Sequence, residues 1–158
     1  ESAMEQGTMG KDYRVYYSLI AFHGIVSAKR GEKTLLKQND RELLDEAMLK
    51  AIPLMATRSK IGQYPRLYLR VEYTDEFTFL GDLRSCLSIS PDNDTLRDIK
   101  ELSLNVKSLC GQLIENKEKI KTVYCWRDSL LKLDGVGEHN NLSAFLTGAG
   151  LNVKVLSL

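Results

Sequence analysis

Long apolar runs are missing from this 158-residue sequence, and its longest apolar stretches fall far short of the roughly 20 residues a membrane helix needs. The first residues do not combine a basic start, an apolar stretch and a small-residue cleavage site, so nothing in them marks secretion. Cysteine is scarce and odd in number. Cys86, Cys110 and Cys125 are widely spaced, which fits reduced thiols in an intracellular protein better than a disulfide framework. The expected compartment is the cytoplasm, with no membrane contact. Neither the cysteines nor His23 and His139 fall at a zinc spacing, no P-loop or Rossmann glycine pattern occurs, and Ser18 and Ser27 lack a nucleophile elbow. No metal, cofactor or catalytic set is therefore expected. An excess of one charge is absent too. The net charge of +1 argues against global attraction to a polyanion. Internal repeats and low-complexity tracts are also lacking.

What is present suits one globular domain, with 43% hydrophobic and 27% charged residues and enough chain to bury a core without disulfides. Residues 1–10, with two glycines and little apolar content, read as a loose lead-in or a cut loop, and residues 11–158 as a single domain. Charge is concentrated locally. Lys29, Arg30, Lys33 and Lys37 oppose only Glu32, and Arg58, Lys60, Arg66 and Arg70 oppose only Glu72. Acids gather at Asp75, Glu76, Asp82, Asp92, Asp94 and Asp98.

Tyr13 to Ala28 is rich in Tyr, Val, Ile and Phe with apolar residues at both parities, which predicts a central strand. Lys29 to Gln38 reads as a surface loop. Asn39 and Glu42 have capping-box spacing, and Leu44, Ala47, Met48, Ala51 and Met55 give the following helix an apolar stripe. Pro53 predicts a kink or a tightened last turn. Leu67, Leu69, Val71 and Tyr73 alternate with Arg66, Tyr68, Arg70 and Glu72, the signature of a strand with one apolar face. Phe77 to Leu80 reads as its returning hairpin arm, extended irregularly past Gly81 and ended by Pro91. A second helix is expected from Asp94, with a stripe from Leu96 to Leu113, then a strand over Thr122 to Trp126, a polar loop over Asp134 to Asn141 and a last strand over Leu151 to Leu156. The resulting β-α-β-β-α-β order predicts an α+β, ferredoxin-like or modified RNA-recognition fold. Its antiparallel sheet would carry two helices on one face, leave the other open, and be followed by a C-terminal addition.

On that open face Arg66, Tyr68 and Arg70 offer two cations and an aromatic plane to single-stranded nucleic acid. A solvated face with internally paired arginines is the simpler reading, and both remain open. Thr57-Arg58-Ser59-Lys60-Ile61-Gly62-Gln63 could wrap phosphates with hydroxyls, N–H groups and cations. Alternatively, Gly62 ends the helix while Arg58 and Lys60 complement its dipole. His23 lies in an apolar run and reads more simply as a core histidine than as a base.

Three segments then carry a resemblance: Tyr16-Tyr17-Ser18-Leu19-Ile20-Ala21-Phe22-His23-Gly24, Leu43-Leu44-Asp45-Glu46-Ala47, and Thr57 through Gln63 into Tyr64-Pro65-Arg66-Leu67-Tyr68-Leu69-Arg70-Val71-Glu72-Tyr73. Together they resemble the Cas-seven backbone subunits of type I CRISPR interference (Cascade) complexes, nearest to the I-B subtype, over about Thr8 to Leu83. Thr-Arg-Ser-Lys-x-Gly-Gln is the most specific part. The resemblance implies a non-catalytic, antiviral RNA-binding subunit of the RAMP superfamily. Several copies would stack with other Cascade subunits, hold the CRISPR guide RNA, and present it to target DNA. Carried onto matching positions, guide contact falls to Arg58, Ser59, Lys60 and Gln63, and beyond them to Arg66, Tyr68 and Arg70. Family members are longer and begin with a strand leading into an Asn-Pro-Asn-Gly-Asp-like loop, which has no counterpart here, so the chain is expected to be a C-terminal portion. Two rivals stay open: a metal-independent endoribonuclease of the same fold using His23, Tyr16 or Lys60, and a protein-interaction module with a merely solvated basic face.

Overall fold

The computed structural model describes residues 15–57, 60–137 and 140–157. Its clearest element is the one with the strongest alternation. β1 (Leu67–Tyr73) pairs antiparallel with β4 (Ile120–Arg127), with Leu69 opposite Cys125, Arg70 opposite Tyr124 and Val71 opposite Val123. β6 (Val153–Val155) completes this sheet alongside β4 in parallel. A parallel neighbour needs a crossover, and the helix α4 (Leu142–Gly148) lies in it, its first turn capped where the Asn141 side chain accepts the N–H of Ala144 at 3.1 Å.

A second small sheet has the order β2 (Ser88–Ser90), β3 (Ser103–Asn105), β5 (Lys132–Asp134), with β2 and β3 antiparallel and β3 and β5 parallel. α3 (Lys107–Glu115) follows β3 directly and buries Leu109, Cys110 and Leu113. These side chains join Leu96, Ile99, Leu104, Val123, Leu131, Leu142, Leu146 and Leu151 in a single core. Leu67, Leu69, Val71 and Tyr73 pack on it from β1, so the apolar face read from the alternation is the inward one. Complete burial of a leucine such as Leu113 contributes about 1.5–3 kcal/mol.

The architecture is α+β, with two small sheets, each with one antiparallel and one parallel pairing, and four α-helices among the described residues, compatible with a ferredoxin-like fold. Several elements differ from their sequence reading. Within the expected Tyr13 to Ala28 strand, residues 15–27 form no strand: Tyr17 and Leu19 pack on the core while Tyr16, Ile20, Phe22 and Ile25 stay exposed. Strand-forming composition makes no ladder without a neighbouring strand. The segment expected as a surface loop instead holds α1 (Ala28–Thr34), because Ser27 caps it by accepting the N–H of Arg30 and Gly31 fits against Leu36. No hairpin forms over Phe77 to Leu80. β1 finds β4, 50 residues on, as its partner, while Asp75 folds the next residues into a turn through bonds from the Phe77 and Thr78 N–H groups, both 2.8 Å. The second helix begins at Lys107, well after Asp94, since β3 takes up residues 103–105.

α2 (Gln38–Leu54) exists as expected but begins earlier: the Lys37 N–H donates to the Asp40 carboxylate at 2.7 Å, which places Asn39 inside the first turn. Pro53 lies in the last turn, where the Met55 N–H reaches back to the Ile52 carbonyl at 3.1 Å. The expected stripe is not the buried one. Leu44, Met48 and Met55 are exposed, and the helix buries Asp45 and Leu49. α2 therefore covers the polar face of β1 and leaves its own apolar stripe outward, so the sheet is sheltered on both sides at β1.

Two loop glycines separate conformational from steric cost. Both Gly135 (φ +93) and Gly137 (φ +78) are left-handed, but a Cβ at 135 would lie 2.7 Å from the Lys107 Cβ, and one at 137 would meet nothing within 4 Å. Gly137→Ala is expected to cost about 1–2 kcal/mol for the backbone conformation alone. Gly135→Ala should cost more, because the start of α3 must shift. Denaturant midpoints measure both, and equal losses would contradict the packing described.

Candidate functional site

The connection from α2 to β1 is built by its own backbone. The N–H groups of Lys60 and Ile61 donate to the Thr57 carbonyl at 3.0 and 3.1 Å, and the Gln63 N–H donates to Lys60 at 3.2 Å. Gly62, at φ +88, supplies the left-handed residue that reverses the chain. Lys60, Ile61, Gln63 and Tyr64 are all exposed on this loop. Arg58 and Ser59, the other two loop residues singled out from the sequence, lie outside the described residues.

Beyond the loop, the strand residues have internal partners. Arg66 forms an ion pair with Asp128 at the end of β4, and its guanidinium sits 5.6 Å from the Tyr64 ring centre. Arg70 makes two bonds to Asp45 of α2, Nε to Oδ1 at 2.6 Å and Nη2 to Oδ2 at 2.7 Å, the paired geometry that suits a carboxylate best. The Tyr68 hydroxyl donates to the same Oδ1 at 2.7 Å. The Arg70 guanidinium also stacks on Tyr124, 3.8 Å from the ring centre. Asp45 is only 4% exposed. The open face expected at Tyr68 and Arg70 is thus closed by α2, because Asp45 on that helix satisfies both. Lys60 and Gln63 share the loop, Arg66 stands between loop and sheet, and Tyr68 and Arg70 belong to the helix–sheet junction.

Ionisation follows this arrangement. Burial pushes the Tyr68 hydroxyl far above the ordinary phenol range, and the neighbouring Asp45 carboxylate pushes the same way. Burial alone would weaken the charge on Arg70, but its bonds to Asp45 outweigh that and raise its pKa. At Glu72, burial favours the neutral acid. Lys121 at 2.9 Å, Arg41 and the Tyr124 hydroxyl at 3.2 Å overcome it and hold the pKa below the usual glutamate value.

The other residues considered from the sequence lie apart. His23 Nδ1 is 4.0 Å from Asp82 and its ring neighbours Phe79, while Tyr16 lies under Arg97, 4.1 Å from the ring centre. No side-chain hydrogen bond among the described residues joins His23, Tyr16 and Lys60 to one another. His139 lies outside the described residues. The thiols of Cys110 and Cys125 are buried, which raises the first to about 11 and the second in the same direction. Burial of this kind makes them unreactive. Sequence reasoning missed Asp45 and Asp128. The spacing Arg41, Asp45, Leu49, Ile52 carries the signal for Asp45, since it traces a second helical stripe beside the apolar one.

Replacing Asp45 by alanine leaves the Arg70 charge buried without a carboxylate, and a loss of about 3–5 kcal/mol is expected. Denaturant unfolding measures it, and a loss under 1 kcal/mol would show that α2 is held by other means. Glu72 adds a pH dependence. Because its pKa is lower folded than unfolded, its contribution is full above the ordinary value of 4.5 and is lost as pH falls through the folded value. Stability of Glu72→Gln measured from pH 6 downward should therefore fall less steeply than that of the parent chain.

The family profile described as CRISPR-associated protein Cas7 matches residues 1–107. CRISPR-associated protein Cas7 of Haloferax volcanii is 36% identical over 125 residues, covering 78% of this chain and 37% of the relative. The chain thus spans well under half the length of that relative. A profile match over most of the sequence and identity at this level over more than three quarters of it make this chain a member of the Cas7 family of CRISPR-associated proteins.

Proposed function

We propose that the chain is a non-catalytic RNA-binding part of the backbone of a type I interference complex, holding the guide RNA for recognition of target DNA. Other copies and other Cascade subunits would be its protein partners, and its setting would be the cytoplasm. One observation carries this reading beyond family membership. The loop whose sequence most closely resembles the family leaves α2 exposed to solvent, with Lys60 and Gln63 outward and Gly62 turning backbone N–H groups through the bend. A cation and an amide suit phosphate and ribose, which carry no sequence information. Base pairing by the guide would supply specificity.

In this reading Lys60 and Gln63, with Arg58 and Ser59, contact the guide. Arg66, Tyr68 and Arg70 support that loop from behind it, and Arg66 is the one adjoining the loop. The ribonuclease alternative draws no support from the separate surroundings of His23, Tyr16 and Lys60. Among the described residues no helix is long and apolar enough to cross a membrane.

Lys60→Ala combined with Gln63→Ala, introduced into the assembled complex, should weaken binding of single-stranded guide RNA by a similar factor for every guide sequence. The slope of log affinity against log salt should fall by about 0.7 for the one cation lost per copy. Filter binding across a salt series measures both. Unchanged affinity and slope would remove the loop from the interface, and cleavage of precursor RNA that disappears in His23→Ala would replace the scaffold reading with the nuclease.

A further inference from the structure

A second concentration of positive charge lies towards the other end of α2, and of the candidate residues above it includes only the enclosed Arg70. Glu72 on β1 receives three cations: Lys121 Nζ at 2.9 Å, Arg41 at 3.5 Å and Arg70 at 3.8 Å. Next to it the Tyr124 ring lies between the Arg70 guanidinium, 3.8 Å from its centre, and Lys154 Nζ, 5.5 Å away. Register brings these groups together, since β4 places Tyr124 opposite Arg70 on one side and opposite Lys154 on the other. The cluster holds four cations and only two carboxylates, Asp45 and Glu72.

The two kinds of cation differ in availability. Arg70 is enclosed, with both its bonded nitrogens on Asp45. Lys121 keeps 64% of its side chain exposed, Arg41 keeps 30%, and Lys154 is exposed with no carboxylate in salt-bridge range among the described residues. A lysine ammonium has three donors and a guanidinium five, so one shared carboxylate leaves most of them for another acceptor. The cluster therefore has surplus charge and surplus donors facing solvent, over a fixed aromatic and carboxylate base. An anion with several oxygens satisfies both.

We propose that Arg41, Lys121 and Lys154 form a second phosphate-contacting surface for a nucleic-acid strand. The proposal rests on the RNA-binding reading and extends it to a place on the chain that the loop does not reach. α2 has 17 residues, so its ends are about 25 Å apart. Loop and cluster lie towards opposite ends of one helix, and a strand bound at both would be held by charge at two points. Arg70 has a structural part in this surface: paired with Asp45 and stacked on Tyr124, it sets the ring over which Lys154 is placed.

The test is Lys121→Ala with Lys154→Ala in the assembled complex, probed with a mixed-sequence single-stranded RNA across a salt series, beside the Lys60 and Gln63 variant. Affinity should fall about tenfold at moderate salt, and the slope should drop by about 1.4, or 0.7 for each cation removed. The double arginine variant, Lys121→Arg with Lys154→Arg, should restore both. Unchanged affinity and slope, with the loop variant still impaired, would overturn this surface and leave the RNA-binding reading standing. If neither variant changed binding, that reading itself would fail. Loss of self-association or subunit assembly with RNA affinity intact would assign the cluster to a protein contact and overturn the proposal.

Discussion

The carboxylate of Asp45 decides how α2 sits on β1. It is buried, carries the α2 helix, and accepts two bonds from the Arg70 guanidinium and one from the Tyr68 hydroxyl, both on β1. A buried ion pair contributes little net stability compared with apolar groups of the same size, because desolvation offsets most of the attraction. Its effect here is on orientation. Apolar stripes tolerate rotation of a helix by a few tens of degrees, whereas two parallel N–H to oxygen bonds do not, and α2 turns Leu44 and Met48 to solvent to make them.

This orientation governs the loop as well. Residues 57–63 connect an element fixed at Asp45 to one fixed at Tyr68 and Arg70, so the arms on either side are tied together by the same three bonds. Among its described residues the turn is closed by short backbone bonds and a left-handed glycine. A loop strung between two fixed elements has a rigid base, and here that base is the helix–sheet junction itself. Tyr68 and Arg70 of β1 thus face α2 rather than an open surface.

What could be read from the residues depended on whether the deciding partner was near in sequence. β1 and β4 were legible because alternation and β-branched composition belong to the strand itself, and the helicity of α2 was legible from its length and spacing. The face α2 buries was not. Leu44 and Met48 trace one stripe, Arg41, Asp45 and Leu49 another, and a carboxylate reads as surface until its partner 25 residues away on β1 is known. Residues 15–27 misled in the opposite way, since they have the composition of a strand but no ladder. The three-residue strands β2, β3 and β5 are too short for any period to show. Of the candidate site, the glycine turn was legible locally, but the internal pairing of Arg66 with Asp128 and of Arg70 with Asp45 was not.

The buried cluster is drawn wholly from residues 96–151, with β1 laid against it, and α2 takes no part in it. The domain therefore has two layers of unequal cohesion. Its C-terminal layer shares one apolar core, whereas α2 is held by the partners of Asp45, the Arg41–Glu72 ion pair and the contacts of Leu49, which a local opening breaks while the layer beneath stays intact. Amide protons of α2 are accordingly expected to exchange through a local opening of lower free energy than those of β4.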